Sequence, residues 1–452
     1  MEVTLAEVLE AREARVRQQN RLRERYGSTV ISFTLNIAGP VKDSPLIRRA
    51  FQAGREQLEA GLAAAKLPVL ERLERQEVTG CEALYAVEGR PREVKTLCAS
   101  IEDGSPLGRL FDMDVLDPHG RKLEREEVGG GPRNCIVCGA PGNGCASRRI
   151  HGAAEVQAAA RQIMEAYFAA ADRETVSALV TRALLDEVCV TPKPGLVDRA
   201  NNGSHRDMDL FTFTASAASL TSYWGSCFAI GRETAGQDPR DTFQALKPAG
   251  EAAERTMYAA TGGVNTHKGA IFTLGLICGA VGRLWRADRP CRDPERVLAE
   301  CAAMVRCAVG EELAALTPET ARTVGETLYL EYGLAGARGE AAQGFPGVLQ
   351  TALPVLKTAV SAGRSRNEAG AAALLHLIAR GTDTNMISRG GADRAEAAAE
   401  RCARLLEREP FPALETIAEL DRAFIRQNLS PGGCADLLAA AMFLQSWEDS
   451  RP

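Results

Sequence analysis

The sequence predicts two domains: an N-terminal α+β domain with a small mixed sheet over residues 1–172, and an all-α multi-helix domain over residues 173–452. Three observations predict this. A chain of 452 residues exceeds what one ordinary hydrophobic core holds. Between Thr29 and about Gly130, short β-rich runs alternate with helix-like ones. From about Arg173 onward strand signals nearly vanish, and Ala-rich segments of helical spacing follow one another through polar Gly- and Pro-containing loops.

The opening MEVTLAEVLEAREARVRQQNR is polar, reads as a helix and has no apolar signal-peptide core. STVISFTLNIAGP reads as a strand closed by Gly39-Pro40, and PLIRRAFQAGREQLEAGLAAA as a helix. CEALYAVEG, EVKTLCASIED and GRLFDMDVLDPHG read as further short strands ending in turns. The helix HGAAEVQAAARQIMEAYFAAA is expected to close the first domain near Ala171-Asp172. After it, VSALVTRALLDEV, FTFTASAASLTSYWGSCFAIGRE, GAIFTLGLICGAVGRLW, ERVLAECAAMVRCAVGEEL, EAGAAALLHLIARG, RAEAAAERCARLLE and CADLLAAAMFLQSWED are predicted helices.

A net charge of −5 argues against a general nucleic-acid binder. The longest apolar run, Gly269 to Gly282, falls short of the roughly 20 residues a bilayer crossing needs. The expectation is a cytoplasmic protein without a membrane partner. Thirteen cysteines with no secretion signal read as buried thiols or metal ligands rather than disulfides.

In LFDMDVL, Asp112 and Asp114 alternate with apolar residues, so on a strand both carboxylates share one face. Two close carboxylates repel unless a cation lies between them, and Mg²⁺ shared with substrate phosphates answers that need. A solvent-facing edge strand is the plainer reading. Cys135, Cys138, Cys145 and His151 have the composition of a tetrahedral Zn²⁺ site, and their loop has few apolar residues to order it otherwise. Their spacing matches no standard finger, which leaves free thiols as the alternative. Arg133, Arg148 and Arg149 in that loop are candidate phosphate contacts. Asn36 and Lys42 flank a Gly-Pro turn.

Four polar islands interrupt the helical half. TPKPGLVDRANNGSHRDMD concentrates Lys193, Asp198, Arg199, Asn201, His205, Asp207 and Asp209. GGVNTHKG sets Asn265, His267 and Lys268 ahead of an apolar helix, where free N–H groups favour anions. YGLAGARGEAAQGFPG carries Arg338 and Glu340 among glycines, and DTNMISRGG carries Asp383, Asn385 and Arg389. Loops at one end of a bundle can converge on one pocket. No Walker-type loop and no dinucleotide fingerprint is present.

The stretches TPKPGLVDRANNGSHRDM, GGVNTHKGAIFTLGLIC, YGLAGARGEAAQGFPGVLQTALPVL and DTNMISRGG make the second half similar to triphosphoribosyl-dephospho-CoA synthase of the citrate lyase system. The first half resembles apo-citrate lyase phosphoribosyl-dephospho-CoA transferase through VISFTLNIAGPVK, GRLFDMDVL and the RNCIVCG…CASRRIH tail. The resemblance implies a fusion of the two enzymes. Its helical half would join ATP to 3′-dephospho-CoA and expel adenine. Its first half would move phosphoribosyl-dephospho-CoA onto a serine of the apo acyl carrier protein (γ subunit) of citrate lyase, releasing pyrophosphate.

Breaking the glycosidic bond of ATP calls for a carboxylate near the ribose, a base for the attacking hydroxyl, a proton donor for adenine, and Mg²⁺ with cations on the triphosphate. On that implied chemistry, Asp198, Asp207, Asp209 and Asp383 are the metal and carboxylate candidates, and His205 or His267 transfers protons. Lys193, Lys268, Arg338 and Arg389 hold phosphates, with Arg199, Asn265, Glu340 and Asn385 as further substrate contacts. In the first half Asp112 and Asp114 hold Mg²⁺ while Lys42, Arg109 and Arg133 contact phosphates. A malonate decarboxylase system uses a related synthase, and the transferase-like half favours citrate lyase. Two other readings remain: a Mg²⁺-dependent hydrolase of nucleotides or ADP-ribose, and a non-enzymatic helical scaffold with a zinc-stabilised docking module.

Overall fold

Thr4 begins the first helix, α1 (Leu5–Tyr26), through a capping box with Glu7, and Gly27 ends it in the left-handed region at φ 59°. A computed structural model describes residues 2–141, 144–148 and 150–450. The chain divides into two units, Met1–Ala171 with Ala287–Arg289, and Asp172–Arg286 with Pro290–Arg451. Arg149 lies outside the described residues.

The first unit is built on β1 (Thr29–Leu35), α2 (Pro45–Ala64), β2 (Val69–Glu77), β3 (Gly80–Val87), α3 (Pro91–Asp103), β4 (Phe111–Leu116) and β5 (Lys122–Leu123). The strands form one sheet in the order β2-β3-β1-β4-β5. The sheet is not mixed, as the sequence reading had it: all four ladders are antiparallel. The tight β2–β3 hairpin and the return of β3 and β4 on opposite sides of β1 leave no parallel neighbours.

Strand alternation gives the sheet two apolar faces. Under one, Phe33 stacks on Phe51 of α2 at 4.8 Å and meets Phe111 edge-on at 5.5 Å. Gly54 of α2 lets this happen, because a Cβ there would sit 2.6 Å from the Phe33 ring. On the other face Leu22 of α1 packs with Val30, Leu84 and Ala86.

EVKTLCASIED is helical, not a strand. Pro91 occupies the first turn of α3, and its buried residues are Val94, Lys95, Cys98, Ala99 and Glu102, a spacing of three to four. A single turn, α4 (Gly144–Ser147), precedes α5 (Ala153–Cys189). The helix expected to stop near Ala171 does not. ADRETVSALV offers no glycine, proline or cap that would end it, so α5 continues for 37 residues.

The second unit continues from α5 with α6 (Leu210–Ser219), α7 (Thr221–Glu233), α8 (Pro239–Ala260), α9 (Lys268–Arg283), α10 (Pro294–Ala314), α11 (Val324–Tyr332) and α12 (Gly336–Ala342). It is completed by α13 (Leu353–Ser361), α14 (Arg366–Ile378), α15 (Thr384–Gly390), α16 (Ala392–Arg408), α17 (Leu414–Arg426) and α18 (Gly432–Asp449). The central element is α9, buried from Ala270 to Arg283 except at Phe272. It meets α7 backbone to backbone, since a Cβ at Gly231 would lie 1.9 Å from the Gly279 carbonyl oxygen. No described helix is long and apolar enough to cross a membrane.

Candidate active sites

In the first unit Asp112 and Asp114 lie on one face of β4, opposite Thr34 and Ser32 of β1. The ladder with β5 covers only Val115 and Leu116, so the preceding half of β4 has an open edge. Charged side chains, buried at Glu102 and Lys95 and partly buried at Arg133, close it. Glu102 accepts the Met113 N–H at 2.8 Å, Lys95 donates to the Met113 carbonyl at 3.1 Å, and Arg133 donates to the Phe111 carbonyl at 2.7 Å. Arg133 and Arg125 both pair with Glu102, at 2.9 and 2.7 Å. An edge sealed this way cannot template another strand.

Asp114 pairs with Lys122 at 2.7 Å. Exclusion of water from the Asp112 carboxyl, and then the Asp114 charge, push its pKa up, although the residue as a whole reaches solvent. Lys122, Arg133 and Lys95 oppose that rise. Lys42 and Arg109 are held elsewhere, on the Ile37 and Asn134 carbonyls. The structure therefore unites Asp112 and Asp114 with Arg133, and adds Lys122, Lys95 and Glu102. Lys95 and Glu102 escaped the sequence reading because that stretch was taken as a strand; on a helix, seven residues apart, they share a face.

The thiol loop also closes. The ligand atoms of Cys135, Cys138, Cys145 and His151 all lie within 4.8 Å of one another. Hydrogen bonding near Ala140, then His151 and Cys145, brings the Cys138 thiol down to about 6, while Cys138 pushes Cys145 up to about 11. Arg148 is exposed.

In the second unit the islands separate into structural and cavity-lining parts. Asp198 accepts the N–H groups of Lys193, Ala200 and Asn201, so its carboxylate shapes its own loop. Asp421 of α17 anchors the same loop through Gly195 N–H and the Asn201 amide. Asp209 caps α6, and Asp207 is exposed. Arg199 donates to the Cys189 carbonyl and to Asn367. His205 bonds Ser430 Oγ at 2.8 Å; burial, then the Arg389 charge, bring it down to about 4. Arg389 itself donates to the Ser204 carbonyl at 2.5 Å.

His267 and Lys268 turn apart. Lys268 reaches outward to Glu254 at 2.9 Å, and its backbone N–H is received by Asn265 at 3.3 Å. His267 is buried edge-on to Phe213, with Nδ1 on Ser216 Oγ at 2.7 Å and Nε2 without a hydrogen-bond partner among the described residues. Burial, then the nearby Lys193 charge, bring its pKa down to about 3, so the ring is neutral at pH 7. Lys193 is equally buried and pairs with Glu187 of α5 at 2.6 Å. The wall of Asn265, His267 and Lys268 expected from the sequence is thus not one surface: a helix start points successive side chains in different directions.

A cavity of about 210 Å³ gathers Gly333–Gly336, Glu340, Arg380, Asp383, Asp436 and Thr273. Asp383 caps α15 through the Asn385 and Met386 N–H groups and also accepts Cys434 N–H at 2.8 Å. Glu340 pairs with Arg380 at 2.8 Å. Asp436 has no hydrogen bond or ion pair among the described residues. Burial, then the Glu187 and Asp383 charges, hold its pKa well above the usual carboxylate range. Its carboxylate abuts the first turn of α9, where a Cβ at Gly269 would lie 2.0 Å from it. Arg338 lines a different cavity and pairs with Glu312 and Glu326. Of the expected residues, then, Glu340 and Asp383 line this cavity. The sequence reading missed Asp436, Glu187, Arg380 and Thr273. The signal for Asp436 was a lone acid inside an apolar helical run, CADLLAAA; for Glu187 it was the second of two acids in VTRALLDEVC.

Two family profiles match the two units. That of CitG, ATP:dephospho-CoA triphosphoribosyl transferase, covers residues 173–451, and that of CitX, apo-citrate lyase phosphoribosyl-dephospho-CoA transferase, covers residues 3–167. Protein CitXG of Haemophilus influenzae is 33% identical across 98% of this chain and 96% of its own length. The chain belongs to the CitXG family. Protein CitXG of Leuconostoc mesenteroides subsp. cremoris is 32% identical, over 98% of this chain and 97% of that protein. A probable 2-(5''-triphosphoribosyl)-3'-dephosphocoenzyme-A synthase of Vibrio cholerae is 44% identical over 60% of this chain and 87% of its own. A CitX part fused to a CitG part is a bifunctional transferase of citrate lyase prosthetic-group maturation.

Proposed function

We propose that the helical unit joins ATP to 3′-dephospho-CoA at the Asp436–Asp383 cavity, releasing adenine. The sheet unit then transfers phosphoribosyl-dephospho-CoA to a serine of the apo acyl carrier protein, the γ subunit of citrate lyase, releasing pyrophosphate. The observation that carries the first step is the lining of the cavity, where the Asp383 and Glu340 carboxylates and the carboxyl of Asp436 stand around one lining guanidinium, Arg380. Bare phosphates would be repelled there. Mg²⁺, bound by one or two carboxylates plus substrate phosphates, would neutralise the triphosphate and suits such a donor set.

Asp436 is the residue we assign as proton donor to the departing adenine. Burial, then the Glu187 and Asp383 charges, raise its pKa, which is the direction that favours a carboxyl able to donate a proton. The Lys193–Glu187 pair and neutral His267 form the buried network behind it, and His267 is the better placed of the two histidines because Lys193 adjoins it. His205 bonds Ser430 instead, near the Arg389 charge that lowers its pKa. In the sheet unit, Asp112 and Asp114 would hold Mg²⁺. The acceptor serine oxygen bonds to phosphorus as the bond to pyrophosphate breaks, with Arg133 and Lys122 beside the developing charge.

The test is incubation with ATP and 3′-dephospho-CoA, following adenine by chromatography, then addition of the apo carrier protein and measurement of its mass gain. Adenine should appear only with dephospho-CoA present. Adenine or phosphate released without it would replace this reading with a hydrolase. Asp436→Asn should slow adenine release by about 10²-fold and remove the high-pH limb of its rate profile; an unchanged profile would eliminate the assignment.

A further inference from the structure

The CitX-type unit carries a chemical feature that neither transfer step uses. Cys135 begins a tight turn in which its N–H donates to the Ala140 carbonyl at 2.9 Å and its carbonyl accepts Gly139 N–H at 2.9 Å. Gly139 takes φ 71°, a left-handed value that suits glycine. This turn presents Cys135 and Cys138 together. The single helical turn α4 brings Cys145 to them, with Cys138 Sγ and Cys145 Sγ 3.5 Å apart. His151, just before α5, completes the group.

We propose that these four side chains bind one structural Zn²⁺. With Zn–S of about 2.3 Å and Zn–N of about 2.0–2.1 Å, tetrahedral ligands stand roughly 3.4–3.8 Å apart. Four ligand atoms mutually within 4.8 Å need only a small contraction to reach that. The imidazole is oriented as a ligand. Its Nδ1 faces the Glu155 carboxylate at 3.3 Å, while Nε2 is buried, makes no hydrogen bond of normal geometry among the described residues, and belongs to a ring close to the Cys138 thiol. A carboxylate on one ring nitrogen and a metal on the other is the usual support of a zinc-bound histidine. Three thiols and an imidazole, without an open ligand position, suit a structural rather than a catalytic ion.

The ion would fasten the segment that seals the sheet edge. Asn134, next to Cys135, receives Arg109, and Arg133 holds both the Phe111 carbonyl and Glu102. The loop has little apolar surface with which to hold that arrangement, so metal binding supplies what a core would otherwise supply.

Elemental analysis of the purified full chain should find one zinc per chain and no iron. Cys138→Ser and Cys145→Ser should each remove it. Glu155→Gln should weaken Zn²⁺ retention against a chelator by about 10–100-fold. Co²⁺ in place of Zn²⁺ should give the visible bands of tetrahedral cobalt thiolate, shifted in His151→Cys, which keeps four ligands even where a serine variant misfolds. A zinc-free, natively folded chain whose three thiols react freely would overturn the proposal. So would a Cys138–Cys145 disulfide, or iron in the site. These readouts do not depend on either transfer activity, so the site and the proposed function can fail separately.

Discussion

Carboxylates in the two units meet different fates. On β4, Asp112 and Asp114 stand on a strand whose N–H groups are engaged in ladders or by Glu102, so neither carboxylate has a backbone partner among the described residues, and Asp114 already holds the Lys122 ammonium. In the helical unit Asp198, Asp209 and Asp383 sit in loops or just ahead of helices, where free N–H groups are abundant, and each is taken up by them. The same residue type is left free of the backbone on a sheet edge and is held by it at a helix start. Asp436 follows the strand pattern within the helical unit: in the body of α18 every N–H points along the helix, and the carboxyl is left for the cavity.

The largest test of this contrast is Asp112→Asn. It should lower transfer to the carrier protein by about 10²–10³-fold, the scale lost when a group stabilising transition-state charge is removed. Adenine release should stay within about twofold. Equal loss of both activities would mean that Asp112 supports folding instead. Next come Asp198→Ala and Asp383→Ala, each of which strands buried N–H groups. Each should cost about 1–3 kcal/mol by chemical denaturation. Asp383→Ala, which also removes a carboxylate of the proposed cavity, should lose adenine release as well; if Asp198→Ala kept wild-type stability but lost adenine release, its assignment as a loop fastener would give way to a direct catalytic one. Smallest is Lys268→Ala. Its pair with Glu254 has side chains 53% and 32% exposed, so stability should change by no more than about 1 kcal/mol, with adenine release nearly intact. A large rise in KM for ATP would restore Lys268 to the phosphate site that the sequence suggested.

Much of the fold was legible because its signals are local. LFDMDVL shows a period of two, and the structure has it buried and open in alternation. The apolar run after Lys268 is a core helix, buried from Ala270 to Arg283 except at Phe272. EVKTLCASIED misled because Val94, Thr96 and Cys98 also alternate; Arg90-Pro91 ahead of Glu93 was the competing helix-start signal. The thiol cluster was readable from four residues within a short segment. The cavity was not, since Thr273, Glu340, Asp383 and Asp436 span more than 160 positions and no local pattern links them.

By itself the sequence determined the two-part composition, the strand that aligns Asp112 with Asp114, the zinc-type ligand set, and the stretches that resemble two known enzymes. Each is written in near neighbours, where periodicity and residue chemistry act directly. Only the tertiary structure decided that His267 turns inward while Lys268 turns out. Only it showed that Lys95, Glu102 and Arg133 seal the β4 edge, and that Asp436 enters the cavity without a hydrogen bond or ion pair among the described residues. Those outcomes depend on which distant backbone groups reach a side chain first, and packing alone settles that.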